Sequence, residues 1–331
     1  MFSQNKNIKK IFKKKNCWLI TGVAGFIGSS ILEILISNNQ YVIGVDNFSS
    51  GKKKNIIKYL NNNEKNFILI KKNICNLKKS DLSNFKIDYL IHLAALASVD
   101  ESIKNPKKCY KNNVFGFENL ISCVSKLKSL KRIIYASSAA VYGNTSKKNS
   151  EHMELNPLSP YAKSKIQNEK TAKIYSKKSK IKFTGIRFFN IFGTNQDPKS
   201  QYSSVISKWI SKLKNNKKIE IYGNGYTSRD FCHVNNVIFF ILLSLNKKLI
   251  KNEIFNLGSG KSITLNYLAK FLIYNIKNEK KYSKFINYKS FKKSDIYKSN
   301  SNIYKIKKKI YPKVPFSTII GLKNMIKNHN F

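Results

Sequence analysis

The chain is short of acid. Against 62 lysines and arginines it sets 17 aspartates and glutamates, a formal net charge of +45 over 331 residues. An imbalance of this size brings nucleic acid or a membrane surface into consideration. The lysines, however, are spread through turns and helix exteriors, in runs no longer than Lys13-Lys14-Lys15 or Lys52-Lys53-Lys54. Diffuse charge attracts anions without supplying an element that reads bases. No specific nucleic-acid partner is therefore expected, and an anionic small substrate is drawn to the same surface. Cysteine and histidine are sparse too. Cys17, Cys75, Cys109, Cys123 and Cys232 show no CxxC spacing, and the four histidines do not cluster. A disulfide scaffold and a metal site are thereby disfavoured, and reduced core thiols in a cytoplasmic protein are the expectation. The longest unbroken apolar run, Val237 to Leu243, is too short to span a bilayer. Residues 1–16 are basic and rich in Asn and Lys, with no apolar core of a signal peptide, and read as an N-terminal extension. Neither membrane insertion nor an internal repeat is expected.

What is present begins at Cys17. The run Cys17-Trp18-Leu19-Ile20-Thr21 reads as a buried parallel strand. Gly22, Gly25 and Gly28 follow at a GxxGxxG spacing, then Ile27, Ile31, Ile34 and Leu35 at helical spacing. A second strand, Tyr41 to Val45, ends on Asp46. Gly22 suits the tight turn out of the strand, Gly25 a close approach to a pyrophosphate, and Gly28 close helix–sheet packing. The helix start at Phe26 and Ile27 offers free N–H groups to phosphate. Asp46 is placed to accept from the ribose hydroxyls, which favours NAD over NADP.

Beyond Asp46 the alternation continues. Strands are expected at Phe67–Ile70, Tyr89–Leu93, Arg132–Ala136 and Phe183–Arg187, with helices at Lys107–Leu127 and Ser159–Lys178. Gly116 weakens the first of these helices. The pattern implies an α/β, Rossmann-type doubly wound parallel sheet, its strand C-termini facing one crevice. Past Asn190 the rhythm breaks. The expected division is a dinucleotide-binding domain at 17–189, to which 236–257 return, and a smaller α/β substrate-binding lobe from 190–235 and 258–331.

The chemistry lies in two stretches. Ser137-Ser138-Ala139-Ala140-Val141-Tyr142-Gly143 leaves a strand end, and Ser159-Pro160-Tyr161-Ala162-Lys163-Ser164-Lys165 opens a helix. Ser159 suits an N-cap and Pro160 the first turn. Tyr161 and Lys165, at i and i+4, share a face. A phenol titrates near ~10 and is a poor base unless a neighbouring cation stabilises the phenolate. With Lys165 beside it, Tyr161 can take a proton from a sugar hydroxyl while Ser138 holds the same oxygen.

These stretches together resemble the extended short-chain dehydrogenase/reductases, and among them the NAD-dependent nucleotide-sugar epimerases, most closely bacterial UDP-N-acetylglucosamine 4-epimerases. The likeness runs from Trp18 to about Tyr311 and rests on residues 19–30, 45–51, 92–99, 137–143, 157–165, 187–193, 196–198, 227–237, 255–260 and 295–299. It implies that Asp46, Asn47, Asn73, Ile74, Ala94 and Ala95 line the cofactor. It implies substrate contacts at Ser98, Asn190, Arg229, Asp295 and Ser299, a UDP-sugar as substrate, and a homodimer formed through helices 107–127 and 159–178. Ser299 falls where relatives set the room beside the sugar's C2 substituent, and its small size admits an N-acetyl group.

Three positions depart from the pattern. Asn73 replaces an aspartate, Lys292-Lys293-Ser294 replaces Arg-x-Gly before Asp295, and Ala139-Ala140 follow Ser138 where relatives carry another hydroxyl. The alanines also lack the carboxylate that dehydratases and decarboxylases of this superfamily place there. An epimerase acting at C4 remains, feeding polysaccharide or O-antigen sugar supply. The alternatives are a UDP-glucose/UDP-galactose or UDP-glucuronate epimerase, or an idle Rossmann-type protein that binds RNA.

Overall fold

The computed structural model describes residues 5–61, 65–145, 147–200, 203–245, 249, 252–291, 296–311 and 313–328. Asp295, with Lys292, Lys293 and Ser294, lies outside the described residues. The strands are β1 (Cys17–Thr21), β2 (Tyr41–Val45), β3 (Phe67–Ile70), β4 (Tyr89–His92), β5 (Arg132–Ser138) and β6 (Lys182–Phe188). They continue as β7 (Asn190–Phe192), β8 (Ile219–Tyr222), β9 (Ser228–Arg229), β10 (Phe231–His233), β11 (Asn252–Leu257), β12 (Ile263–Thr264) and β13 (Ile286–Lys289). The α-helices are α1 (Lys6–Phe12), α2 (Phe26–Ile36), α3 (Ile57–Asn61), α4 (Val99–Lys104), α5 (Pro106–Tyr110) and α6 (Gly116–Val124). After them come α7 (Pro160–Lys178), α8 (Val205–Lys214), α9 (Val234–Leu245), α10 (Leu265–Lys277), α11 (Tyr304–Lys309) and α12 (Thr318–Asn328).

The expected doubly wound sheet is present. Its parallel strands run β11-β6-β5-β4-β1-β2-β3. From β1 the chain winds outward through β2 and β3, then returns to the other side of β1 with β4. The order thus reverses between β1 and β4, where Gly22 leaves one strand and Leu93 the other, and that is where an open α/β sheet binds its ligand. The near-continuous apolar character of these strands reflects burial on both faces. One core cluster holds Trp18, Ile31, Leu32, Ile241 and Phe255; a second, on the opposite face, holds Leu19, Leu90, Phe117, Leu120 and Ile133. Tyr135 lies over β6 so closely that a Cβ on Gly185 would stand 2.6 Å from its hydroxyl oxygen.

Several expectations are revised. The helix expected at 107–127 is three pieces: α5, a π-helical turn at Lys111–Phe115, and α6. The inserted residue turns Asn113 inward, where its amide bonds the backbone of Leu96 at both N–H (2.8 Å) and carbonyl (3.1 Å), and the Ser164 hydroxyl (3.0 Å). Gly116 is not simply a weak point, because a Cβ there would sit 2.8 Å from Ile74 Cδ1. The basic N-terminal segment contains α1, capped by Asn5, with Ile8 and Ile11 buried in the first core cluster alongside α9 residues. Ile303, Ile306 and Ile310 join that same cluster, although the sequence pattern assigns 258–331 wholly to the lobe. A third core cluster gathers Phe192, Trp209, Ile221, Phe231, Leu268, Leu272 and Met325. Among the described residues no helix is long and apolar enough to cross a membrane.

Candidate active site

Two cavities, of about 330 and 350 Å³, meet along the C-terminal edge of the sheet and share Gly22, Gly25, Ser50, Leu93 and Ala95 as a common wall. One is lined by Asp46, Asn47, Asn73, Ile74, Ala94 and Ala95. The other holds Phe26, Ile27 and Gly28 at one end and Ser138 and Tyr161 at the other. The geometry fits NAD. Gly22 takes φ +74°, and a Cβ on Gly28 would stand 2.2 Å from the Gly22 carbonyl oxygen, so the turn closes only on glycine. No side chain caps α2, and its first N–H groups are left for a diphosphate. Asp46 accepts from the N–H groups of Ala24 (2.9 Å) and Phe48 (2.8 Å), which fixes the glycine turn and the β2 exit relative to each other. Burial pushes its carboxyl up, against the pull of those N–H groups. Asn73 replaces the expected acid by accepting from Cys75 N–H and donating to Asn112 at 3.2 Å.

At the other end three consecutive residues of β5 engage three residues of α7 spaced four apart. The Ala136 carbonyl accepts from Lys165 Nζ at 3.0 Å. Ser137 Oγ donates to Glu169 Oε1 at 2.6 Å. Ser138 Oγ, which accepts from Ala140 N–H at 3.2 Å, lines the same cavity as the Tyr161 phenol and opposes the rise of its pKa. Tyr161, Lys165 and Glu169 thus form one stripe of the helix, locked against the strand end. Lys165 Nζ lies 5.7 Å from the centre of the Tyr161 ring. Burial holds the Tyr161 phenol above its ordinary range, with Ser138 opposing, and lowers Lys165 to about 8. His92, buried at the end of β4 with Nδ1 2.8 Å from Thr21 Oγ1, is lowered to about 3 by burial and then by the Lys165 charge. A neutral His92 leaves Lys165 as the local cation.

Of the described residues expected to touch substrate, Ser138 lines this cavity, and the others hold local hydrogen bonds. Ser98 caps α4, accepting from Glu101 N–H. Asn190 opens β7 and donates its amide to the Asp230 carbonyl at 3.2 Å. Arg229 Nη1 donates to the Ser228 carbonyl, and Ser299 N–H to the same carbonyl at 3.1 Å. Among the described residues, Ala97, Phe188, Phe189 and Ile191 line the catalytic cavity, while Ser98, Asn190, Arg229 and Ser299 are not in its lining. The Asp230 carboxylate takes Ser259, Gly260 and Ser301.

Other contributors carry no role in the sequence reading. Ser50, Lys52 and Asn55 line the catalytic cavity, as do Asn195, Gln196, Asp197, Ser200 and Ser203. Residues 196–198 belong to the resemblance, which assigns them no task. Beneath the floor Arg187 clasps Glu169 with two bonds, Nε to Oε1 at 2.9 Å and Nη2 to Oε2 at 2.7 Å. Arg187 Nη1 donates to Tyr142 Oη at 2.9 Å, and Tyr142 Oη donates to Asn256 Oδ1 at 2.6 Å. Buried Glu and Arg in a YxxxKxxxE helix and its neighbouring strand were the available signal; their pairing is a tertiary fact.

Comparison with known proteins agrees with this geometry. Residues 18–258 match the model of the NAD dependent epimerase/dehydratase family. The UDP-glucose 4-epimerase of Thermotoga maritima, solved with UDP-glucose, superposes with a TM-score of 0.86 at 31% identity, covering 94% of this chain and 97% of that one. The UDP-N-acetylglucosamine 4-epimerase of Methanobrevibacter ruminantium M1, solved with UDP-N-acetylmuramic acid, gives 0.84 at 31% identity, over 95% and 98%. The UDP-glucuronate 4-epimerase of Thermodesulfobacterium geofontis is 30% identical over 317 residues, 93% of this chain and 94% of its own length. The glycine turn, the acid at the end of β2 and the Ser–Tyr–Lys set at the same groove agree with that match: this chain belongs to the NAD-dependent epimerase/dehydratase family.

Proposed function

We propose that the protein is a UDP-hexose 4-epimerase interconverting UDP-N-acetylglucosamine and UDP-N-acetylgalactosamine. The observation that carries the reaction type is the catalytic cavity itself. Ser138 and Tyr161 face it with Lys165 behind them, and Ala139-Ala140 supply no acid beside them. When bound, NAD supplies a reversible hydride acceptor at C4. Tyr161 takes the C4 hydroxyl proton, Ser138 holds that oxygen, and the Lys165 ammonium stabilises the phenolate. The resulting 4-keto sugar turns over in the cavity, so that the hydride would return to the opposite face of C4 while Tyr161 gives the proton back to the C4 oxygen.

The sugar end of the cavity is built of Ala97, Phe188, Phe189 and Ile191, surfaces on which a hexose can turn without being gripped. Among the described lining residues Lys52 is the cation, its backbone N–H bonded to the Ala24 carbonyl of the glycine turn at 3.0 Å. That arrangement favours a neutral sugar over a glucuronate. The N-acetyl preference rests on the small Ser299 and on likeness to the Methanobrevibacter enzyme. Its backbone is held beside β9, and we propose that it sets the space at C2 together with Asp295 and Arg229 at the nucleotide end. Incubation with UDP-GlcNAc, UDP-Glc and UDP-GlcA separately, followed by resolution of the C4 epimers, tests the assignment. Turnover of UDP-GlcA alone would overturn the sugar, and turnover of none would overturn the reaction. Plain UDP-glucose/UDP-galactose conversion is the second reading, favoured by the Thermotoga likeness.

A further inference from the structure

The 4-keto sugar formed in the proposed reaction stays joined to UDP but not to the protein, and it must be free to turn. Something other than the grip on the sugar has to keep it from leaving. Segment 299–302 meets both halves of the molecule. On the lobe side Ser299 N–H bonds Ser228, and Ser301 N–H bonds Asp230 Oδ2 at 3.1 Å. On the sheet side Asn149 N–H bonds the Asn300 carbonyl (2.8 Å), and Asn302 N–H bonds the Asn149 carbonyl (2.7 Å). Asn256 Nδ2 reaches both the Asn149 carbonyl (3.0 Å) and the Asn302 carbonyl (3.4 Å). Asn256 Oδ1 in turn receives Tyr142, whose oxygen is held by Arg187, which clasps Glu169 on the catalytic helix. Glu169, Arg187, Tyr142, Asn256 and Ser301 are all buried.

We propose that the Tyr142–Asn256 hydrogen bond is a latch that keeps the 299–302 segment of the substrate lobe closed on the catalytic platform while the 4-keto sugar turns, making both residues positioning residues for retention of the intermediate. The inference rests on the epimerase reading. Physically, the bond is the narrow point of the network. Upstream, Glu169 and Arg187 satisfy each other and stay ordered without it. Downstream, Asn256 loses its orientation when Oδ1 is unpartnered, and its Nδ2 no longer bridges two carbonyls. The sugar is thus contained by an oriented amide distant from it rather than by contacts that would stop its rotation.

The test is Tyr142→Phe, which keeps the ring against Phe189 and removes only the hydroxyl. Released ketone is trapped as an oxime with hydroxylamine and counted by mass spectrometry per epimer formed. Hydrogen exchange is read at the Ser301 and Asn302 amides of the same protein. The expected result is about a tenfold rise in trapped ketone per turnover, with faster exchange at those two amides. Asn256→Asp, which keeps the acceptor for Tyr142 and loses both Nδ2 donors, should do the same, and it serves if Tyr142→Phe does not fold. Ketone release at the wild-type level with unchanged exchange would overturn the latch. A wild type that epimerises no nucleotide sugar would instead overturn the reaction. Exchange then decides the latch alone: protection lost in Tyr142→Phe supports it and protection kept overturns it.

Discussion

Lys165 and Tyr161 are related through the strand as well as through their helix: the ammonium donates to the Ala136 carbonyl at 3.0 Å while standing 5.7 Å from the phenol ring centre. The lysine is therefore fixed in place before any ligand arrives. The phenol is held above its usual range by burial, so the ammonium and the oxidised cofactor together must bring it within reach of neutral pH. Replacing Tyr161 by Phe keeps the ring and removes the acceptor. Turnover should fall by ~100-fold or more, with NAD retained as measured by mass spectrometry of the denatured protein.

Lys165 sets the alkaline limit. Its folded value of about 8 lies below the unfolded value, so between those two the unfolded chain carries the extra proton. The contribution of this group to stability is therefore least favourable below pH ~8 and rises as pH increases toward ~10. Activity moves the other way, because the ammonium is lost. Turnover should decline above about pH 8. The stability of the wild type relative to Lys165→Met should climb over the same window in denaturant titrations; a flat difference would contradict the assignment.

Ser299 governs sugar size in the proposed function. It is 7% exposed. Ser299→Tyr should abolish interconversion of the N-acetylated pair while sparing UDP-glucose and UDP-galactose, each followed by chromatographic separation of epimers. Equal loss of both pairs would point instead to overpacking of a tight site.

A dimer is expected through the face that carries Ile103 (49% exposed), Tyr110 (44%), Phe115 (54%) and Ile174 (51%) on α4, α5, the π turn and α7. These large apolar groups sit on adjoining elements beside the catalytic helix, and two-fold pairing would bury them. Light scattering at micromolar concentration should give twice the chain mass, and Phe115→Asp with Ile174→Glu should return the monomer.

The sheet was legible because its strands are short apolar runs, the first two closed by Gly22 and Asp46, and the catalytic pair because i and i+4 fix neighbours on any helix. The π turn was not, since one added residue leaves a hydrophobic period of this length almost unchanged and shows only in the burial of Asn113. Arg187 and Glu169 lie 18 positions apart, and nothing local says that two charges will be buried together. The lysines of α1 hid its two core isoleucines. Ser98, Asn190, Arg229 and Ser299 were assigned by likeness to relatives, and their local hydrogen bonds are of a kind that motif spacing does not reveal. Asp295 falls outside the described residues.

The closeness of Tyr135 to Gly185 orders the history open to this chain. Gly185→Ala would press a methyl against the Tyr135 hydroxyl oxygen in the middle of two adjoining strands. A lineage can accept it only after position 135 has given up its ring as well as its hydroxyl, because Tyr135 Cζ would stand 2.7 Å from the same methyl. Shrinking the side chain at 135 first leaves Gly185 undisturbed, at the cost of a cavity in the second core cluster. Descendants that keep an aromatic ring at 135 should therefore keep Gly185. The contact is a one-way gate between two positions that no step of the chemistry uses.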